Sequence, residues 1–416
     1  MADKLIHSQA GYMPKILPRE GPVIEANINR AQDLTPNTTP EYQEVNELGR
    51  GTPVDSVAMG IDSGGSLTQL EHGSMSIFCH LANKPLNTET IDISDFDASA
   101  FGVQAYLKDT DGDSVGSVYY PGQRLESFSV NVPSPEDFID RSFSFVGDET
   151  LLLSGDNKYL IPLMKVVESG EEGELDLTFG VGELENYPVP VENTREPGQY
   201  VLSAVRIRNN VTDDLGDNLS ASVYEYNDGT ITIHDAEVGD RYKFYVTASE
   251  YITGVEPWVP NDTDVAAIAG HSVVVYFGTD TRLYRLQDVN FDVSLSRADY
   301  KEIGNHLTVE RATDERTVTV TLGRILKDYD LENLLVDGTG GIVDLNDLST
   351  DFTLTVVVYD SHRHNNFKMA YQARGLHCSG MEPASASVEQ IVNAGNTFEG
   401  SQLIITKNFA ELNLSI

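Results

Sequence analysis

Phe101-Gly-Val-Gln-Ala-Tyr-Leu107 and Phe352-Thr-Leu-Thr-Val-Val-Val-Tyr359 decide the fold. Both alternate between two kinds of side chain, the period that sends one face of a strand into a core and the other toward water. The two stretches also keep step with each other. Phe101 and Phe352, Val103 and Leu354, Ala105 and Val356, Asp109 and Asp360, Tyr120 and Tyr371, and Leu125 and Leu376 all lie 251 residues apart. One spacing shared across matching strand–turn–strand segments reads as an internal duplication.

The likeness extends outward from these strands. Val23-Ile-Glu-Ala-Asn-Ile-Asn-Arg30 aligns with Asn290-Phe-Asp-Val-Ser-Leu-Ser-Arg297, an alternating strand ending in Arg. Glu44-Val-Asn-Glu-Leu-Gly-Arg50 aligns with Asp299-Tyr-Lys-Glu-Ile-Gly-Asn305, and the strands Ser74–Phe78 and Thr317–Thr321 follow in turn. Thr317–Leu322, Tyr242–Thr247 and Arg141–Val146 alternate as well, and Asn227-Asp-Gly229, Val238-Gly-Asp240, Asp109–Asp113 and Gly338–Gly341 supply turns. Helical spacing is confined to Asp328–Asp337, stopped by Gly338, and to a second stretch at Ala384–Ala394.

The expected organisation is therefore mainly β. Residues 1–22, with Pro14, Pro18 and Pro22, form an extended arm; 23–150 and 286–416 form two homologous domains, each with a short helix. Residues 151–285 have no counterpart in the repeats and read as an inserted β module. Within it Ala221–Tyr226, Thr230–His234 and Tyr242–Ala248 suggest a three-stranded meander, entered through Gly170–Asp176 and the Pro-rich Tyr187–Pro197.

The 416 residues carry 28 Lys and Arg against 65 Asp and Glu, a net charge of −37. That excludes a protein that seeks phosphate backbones or anionic lipid through a basic face. The charge is spread: 151–285 holds 9 basic and 23 acidic residues, so no acidic tail concentrates it. Lys is scarce, 11 against 17 Arg. Such a surface suits solubility in strong salt, and equally suits repulsion of nucleic acid. Cys79 and Cys378 are too far apart in sequence, and too few, for a disulfide framework or thiolate metal site. The N-terminus lacks a basic start followed by an apolar run, and no stretch has the 18 apolar residues of a membrane span, so a soluble intracellular product without membrane binding is expected.

Residues that could carry chemistry are few. Asp109-Thr-Asp-Gly-Asp113 resembles the start of a calcium loop, but position 12 of that pattern is Tyr120, so a hairpin turn explains it better. His362 and His364 lie close in sequence without a third ligand nearby and read as a solvated loop; His72 and His80 say little. Trp258 reads as a loop anchor packed on the core, and the Asn-x-Ser/Thr triplets at Asn37, Asn210, Asn218, Asn261 and Asn413 are what chance supplies. No nucleophile elbow, phosphate loop or zinc-protease motif occurs. No catalytic, cofactor or metal residue is assigned, and the chain is not expected to be an enzyme.

Taken in order, the motifs resemble a known family. They are a strand ending in Arg, a loop with Glu-Leu-Gly or Glu-Ile-Gly, an alternating strand, a short helix, a long hairpin through Tyr120-Pro-Gly-Gln-Arg-Leu-Glu-Ser-Phe-Ser-Val130, and a closing Arg141-Ser-Phe-Ser-Phe-Val-Gly-Asp148. This is similar to the major tail tube protein of long-tailed phages and related archaeal viruses. The second repeat departs from it at its last strand, where Asn396-Thr-Phe-Glu-Gly400 is the nearest match, and the insertion is extra. The resemblance implies two tandem β-sandwich or barrel domains. It also implies a structural virion protein whose subunits close into rings, three chains giving six pseudo-equivalent domains, and whose rings stack into a tail tube. Implied partners are other copies of the chain and the tape-measure, terminator and distal tail proteins. Double-stranded DNA would pass through the channel without being read, after assembly in the host cytoplasm. The competing expectation is a β-sandwich binding module, such as a decoration, receptor-binding or adhesion protein.

Overall fold

Alternation in the sequence becomes alternation in burial. Along Asp140–Gly147 every second residue (Arg141, Phe143, Phe145, Gly147) is buried and the residues between are partly exposed, as a strand with one face on a core requires. The computed structural model describes residues 12–17, 28, 30–45, 55–82, 84, 87–97, 101–108, 114–147, 150–154, 159–168, 170–181, 190, 201–207, 217–218, 224–248, 266–300, 310–326, 330–335, 350–385 and 393–414.

The first part of the chain gives β1 (Tyr12–Leu17), β2 (Ala31–Val45), β3 (Asp55–Leu70), α1 (Ser76–Leu81), β4 (Thr90–Asp92), β5 (Phe101–Lys108), β6 (Ser114–Val132), β7 (Asp140–Gly147) and β8 (Leu151–Ser154). The middle gives β9 (Tyr159–Val166), β10 (Gly173–Thr178), β11 (Val201–Ile207), β12 (Asp217–Asn218), β13 (Tyr224–Asn227), β14 (Thr230–Ala236) and β15 (Arg241–Ala248). The last part gives β16 (Val273–Phe277), β17 (Thr281–Arg282), β18 (Leu286–Tyr300), β19 (Glu310–Ile325), α2 (Asp330–Leu335), β20 (Thr350–Tyr359), β21 (Phe367–Ser385), β22 (Asn393–Gly400) and β23 (Gln402–Thr406).

The protein is mainly β, dominated by one antiparallel sheet of 16 strands whose central path runs β17-β16-β20-β21-β22-β19-β18-β6-β7-β3-β2 and does not close into a barrel among the described residues. The order β1-β5-β6-β7-β3-β2 reappears as β16-β20-β21-β22-β19-β18, and the short strands β8 and β23 each add to the long strand of their own set.

The repetition holds residue by residue. The hairpins β2–β3 and β18–β19 superpose by a shift of 255 residues, Ala31↔Gln69 becoming Leu286↔Arg324 and Val45↔Asp55 becoming Tyr300↔Glu310, with both bulges at matching places. Arg30 and Arg285 precede these strands, each at positive φ (56° and 62°), and their carbonyls accept from the Leu70 and Ile325 N–H groups at 3.1 Å. The counterpart of Arg30 is thus Arg285. The alignment of 23–30 with 290–297 is corrected, and 23–27 lie outside the described residues. Glu44 and Asp299 do correspond.

In the hairpins β5–β6 and β20–β21 the first strands match at 251, Phe101 with Phe352, but the second strands match at 253, Phe101↔Gln123 becoming Phe352↔Leu376. The intervening loop is two residues longer in the second copy (109–113 against 360–366), so every later position slips by two. The counterparts of Tyr120 and Leu125 are Ala373 and Cys378, and the expected pairs with Tyr371 and Leu376 are corrected accordingly. The slip had hidden a better match: Gly122 and Gly375, both at φ near +60° (60° and 63°), where β6 and β21 leave one partner strand for the next. No atom lies within 4 Å of a Cβ built on Gly375, so only backbone strain opposes a side chain there. Gly375→Ala is expected to cost about 1–2 kcal/mol, read as a lower urea midpoint at unchanged slope.

Other expectations shift. Ser74–Phe78 is not a strand: it leads into α1, and the counterpart of Thr317–Thr321 is Asp62–Ser66 in β3. The helix expected at Asp328–Asp337 is present as α2, but Ala384–Ala394 is not helical where described, since Ser385 ends β21 and Asn393 opens β22. Part of the N-terminal arm, Tyr12–Leu17, is sheet, pairing with β5 as Val273–Phe277 pairs with β20.

In the middle, Asn227-Asp228-Gly229 does turn a hairpin, with φ of 47° and 85° at its central residues, the left-handed pair that a two-residue hairpin favours. The three-stranded meander is corrected: β13 and β14 pair, with β10 as their third strand, while β15 joins β12, β11 and β9 in a separate four-stranded sheet. Tyr224 meets Phe244 edge to face at 5.7 Å, so the two small sheets pack together. Both fall within 159–248, and the strands flanking them, β8 and β16, belong to the large sheet.

One hydrophobic core spans both copies, with Phe78, Phe96, Phe128 and Phe143 from the first and Phe291, Val320, Leu354 and Tyr371 from the second. The two copies are thus fused by a shared core as well as by a ladder.

Candidate assembly interface

The structural feature with the clearest consequence is the way one copy of the repeated fold grips the next. β18 of the second copy lies antiparallel to the end of β6 in the first, from Val289↔Val132 through Phe291↔Val130 to Ser294↔Ser127. The inward residues Val289, Phe291 and Val293 are buried against Phe128, Val130 and Val132. Alternating apolar residues on both strands therefore make the joint a continuation of the core, not a surface contact.

Beyond the ladder the joint is locked by Arg297. Its Nε and Nη2 donate to the Leu125 carbonyl at 3.0 and 2.6 Å, Nη2 also to the Phe96 carbonyl at 2.9 Å, and Nη1 to the Asp97 carbonyl and Thr313 Oγ1 at 2.7 and 2.6 Å. A planar guanidinium with five donors suits a cluster of carbonyls in a way a lysine could not. Burial, and then the neighbouring Arg124, pull its pKa down to about 10, so it remains charged at neutral pH. Arg316 pairs with the Asp97 carboxylate, its Nε at 3.0 Å from Oδ1, and Arg311 holds Asp299 bidentately at 2.5 and 2.8 Å.

Deeper lies a buried polar cluster. The Glu71 carboxylate accepts from the His72 and Gly73 N–H groups at 2.9 and 2.6 Å and from Tyr371 Oη, across in the second copy, at 2.6 Å. Arg141 Nη2 stands 3.5 Å from Glu71 and 3.2 Å from His72 Nδ1, while Nη1 donates to the Ser74 carbonyl at 3.0 Å. Burial, and then the nearby Glu71 charge, raise the Tyr371 pKa well above its usual value, so the hydroxyl stays a donor. Burial, and then Arg141, lower that of His72, which keeps the ring neutral. The counterparts of Glu71 and Arg141 in the second copy are Leu326 and Ala394, and that of Tyr371 in the first is Val118. This charged set exists at one joint of the duplicated fold and is absent from the equivalent place in the other copy.

Sequence reading assigned no site residues: Arg297 stood there only as the end of an alternating strand and Arg141 as the start of another, and Glu71 was not singled out. One signal was present: Arg141 occupies the inward phase of an alternating strand, between Ile139 and Phe143, where a cation must have a partner. Among the singled-out residues, His362 and His364 do approach each other's neighbourhood. The His362 ring stands 6.1 Å from that of His271, and His364 Nε2 lies 3.1 Å from the His271 carbonyl. No group of three or more metal-binding side chains forms among the described residues. Asp109–Asp113, Asn210, Trp258 and Asn261 lie outside the described residues. Tyr120 is buried, Cys79 is buried, Cys378 is half-buried, His80 is half-buried beside it in sequence at the end of α1, and Asn37 and Asn413 are exposed. Asn218 ends the two-residue strand β12. No helix among the described residues is long and apolar enough to cross a membrane. No family model matches the chain, and no curated protein matches its sequence.

Proposed function

We propose that this chain is a structural subunit that assembles with copies of itself into rings and stacked tubes, as the tail tube of a tailed virus, with three chains supplying six pseudo-equivalent domains per ring. The single observation that carries the reading is the joint between β18 and β6. One copy of the repeated fold already extends the sheet of the next, edge to edge and head to tail, and each copy has the same two edges. A head-to-tail contact generates a ring when its rotation closes. Long strands with open edges are a hazard unless something pairs them, and a ring does so. The small sheets within 159–248 would then ride on the outside, because strands lining a channel must stay contiguous from copy to copy. A net charge of −37 disfavours gripping of DNA passing through the channel. Further partners would be the proteins that measure, cap and anchor a tail, and the location would be the virion. The role is not enzymatic and uses no cofactor.

Negative-stain microscopy and native mass spectrometry of the purified chain test this. Stacked hollow rings of three chains are expected. Rings of six chains would overturn the stoichiometry, and a persistent monomer that binds a surface ligand would favour an adhesion or receptor-binding module.

A further inference from the structure

Resting on that reading, the residue-level repetition says where and in what register a second copy binds. Within the chain, 289–294 of β18 lie along 127–132 of β6. The counterparts of 292–294 and 127–129, by the shifts of 255 and 253, are 37–39 of β2 and 380–382 of β21; beyond Glu382 the register of β21 against β22 shifts by one residue and the match stops. Among the described residues neither stretch has a strand on that side: β2 ends the path of the large sheet, and β21 beyond His377 pairs with β22 alone. We propose that a second copy of this chain fills this place, its β2 adding to β21 with Asn37 opposite Glu382, Thr38 opposite Met381 and Thr39 opposite Gly380.

The hydrogen bonds can be counted. Leu70 N–H bonds to the Arg30 carbonyl, which sets the alternation along the hairpin. After the bulge at Ala31/Asp33, odd-numbered residues of β2 bond to β3, and even-numbered residues turn their backbone groups to the open side. Pro36 and Pro40 both fall on even positions, so the missing donors cost nothing inside the chain. By the same alternation Met381 addresses the open side of β21, as Phe128 addresses β18, and the extra residue between Glu382 and Ser385 ends the matched phase there.

The contact between chains differs from the joint within the chain in two ways. Pro36 has no N–H to offer an added strand and β21 shifts register beyond Glu382, so the contact between chains is shorter and weaker than the joint within the chain. The arginine lock is replaced as well. Arg297 corresponds to Tyr42, which is 65% exposed, and its acceptor Leu125 corresponds to Cys378. Tyr42 Oη of the incoming copy would face the Cys378 carbonyl with a single donor where Arg297 offers a fork.

The test is cross-linking of the full chain in a Cys378→Ser background, leaving only buried Cys79. Asn37→Cys combined with Glu382→Cys places thiols at a non-hydrogen-bonded pair of the proposed ladder, where Cβ atoms stand about 4.5–5.5 Å apart and a disulfide can close with slight adjustment. Mild oxidation should give covalent oligomers on a non-reducing gel. Thr35→Cys with Glu382→Cys, two residues out of register, should give few. Rings that form while the 37/382 pair stays uncross-linked, or cross-links equally strong in both variants, would overturn the register and leave the tube reading standing. Absence of any oligomer by microscopy and native mass would overturn both.

Discussion

Arg141→Ala lowers the stability of the chain by about 3–5 kcal/mol, the cost of removing one partner from a buried ion pair. The side chains of Arg141 and Glu71 are both fully inaccessible, so no water can replace the lost cation. The variant strands the Glu71 carboxylate in the core, and it frees the Ser74 carbonyl and the face of Phe78, over which the guanidinium stands at 5.4 Å. The geometry shows that the pair is not at its strongest: the closest approach is 3.5 Å, and Arg141 Nε has no acceptor. Tyr371 and two backbone N–H groups carry much of the carboxylate's solvation instead. The fold itself does not need the charges, because Leu326 and Ala394 hold the equivalent places in the second copy. The triple variant Glu71→Leu, Arg141→Ala, Tyr371→Val, which installs each counterpart residue, should therefore recover part of the loss seen in Arg141→Ala alone. Chemical unfolding of the three proteins measures this; a loss under about 1 kcal/mol for Arg141→Ala would show that water reaches the cluster.

The sequence made the strands of the repeats legible because alternation and burial share one cause, and Thr317–Leu322, Arg141–Val146 and Phe352–Tyr359 all lie in strands of the large sheet. It misled where a loop changed length. The two extra residues in 360–366 keep the strand phase, because a shift of two preserves which side chains face inward, so Tyr120 could be set against Tyr371 with no visible penalty. Ser74–Phe78 misled for another reason. Six residues are too few to show a helical period, and α1 has no side-chain cap at Met75 to announce it. The third strand of the expected meander went to a different sheet because alternation specifies a strand's faces and says nothing of its neighbours. The joint was invisible for the same reason: its partners lie far apart in sequence, and Arg297 at the end of an alternating strand looks like a solvated terminus until Phe96, Asp97 and Leu125 are brought beneath it.

Phe78→Ala is the second substitution with a large expected effect, about 3–5 kcal/mol. A six-residue helix is not stable by itself, so α1 persists through what it buries: Ile77, Phe78, Cys79 and Leu81. Phe78 has no exposure and meets Phe128, Phe143 and Tyr371 edge to face, with ring centroids 5.6, 5.5 and 6.1 Å away. The first two belong to the first copy and Tyr371 to the second, so the ring is a wedge between the copies. Truncation leaves a cavity that strands on two sides cannot collapse, since each is fixed by its own ladder. The loss should appear in urea unfolding as a lower midpoint, and a double-mutant cycle separates its parts. Phe78→Ala with Tyr371→Ala should show a coupling of about 0.5–1.5 kcal/mol, the value of a well-placed aromatic pair. Coupling near zero would mean that Phe78 stabilises the first copy alone, and that the two copies are held together by the β18–β6 ladder and Arg297 without help from the core.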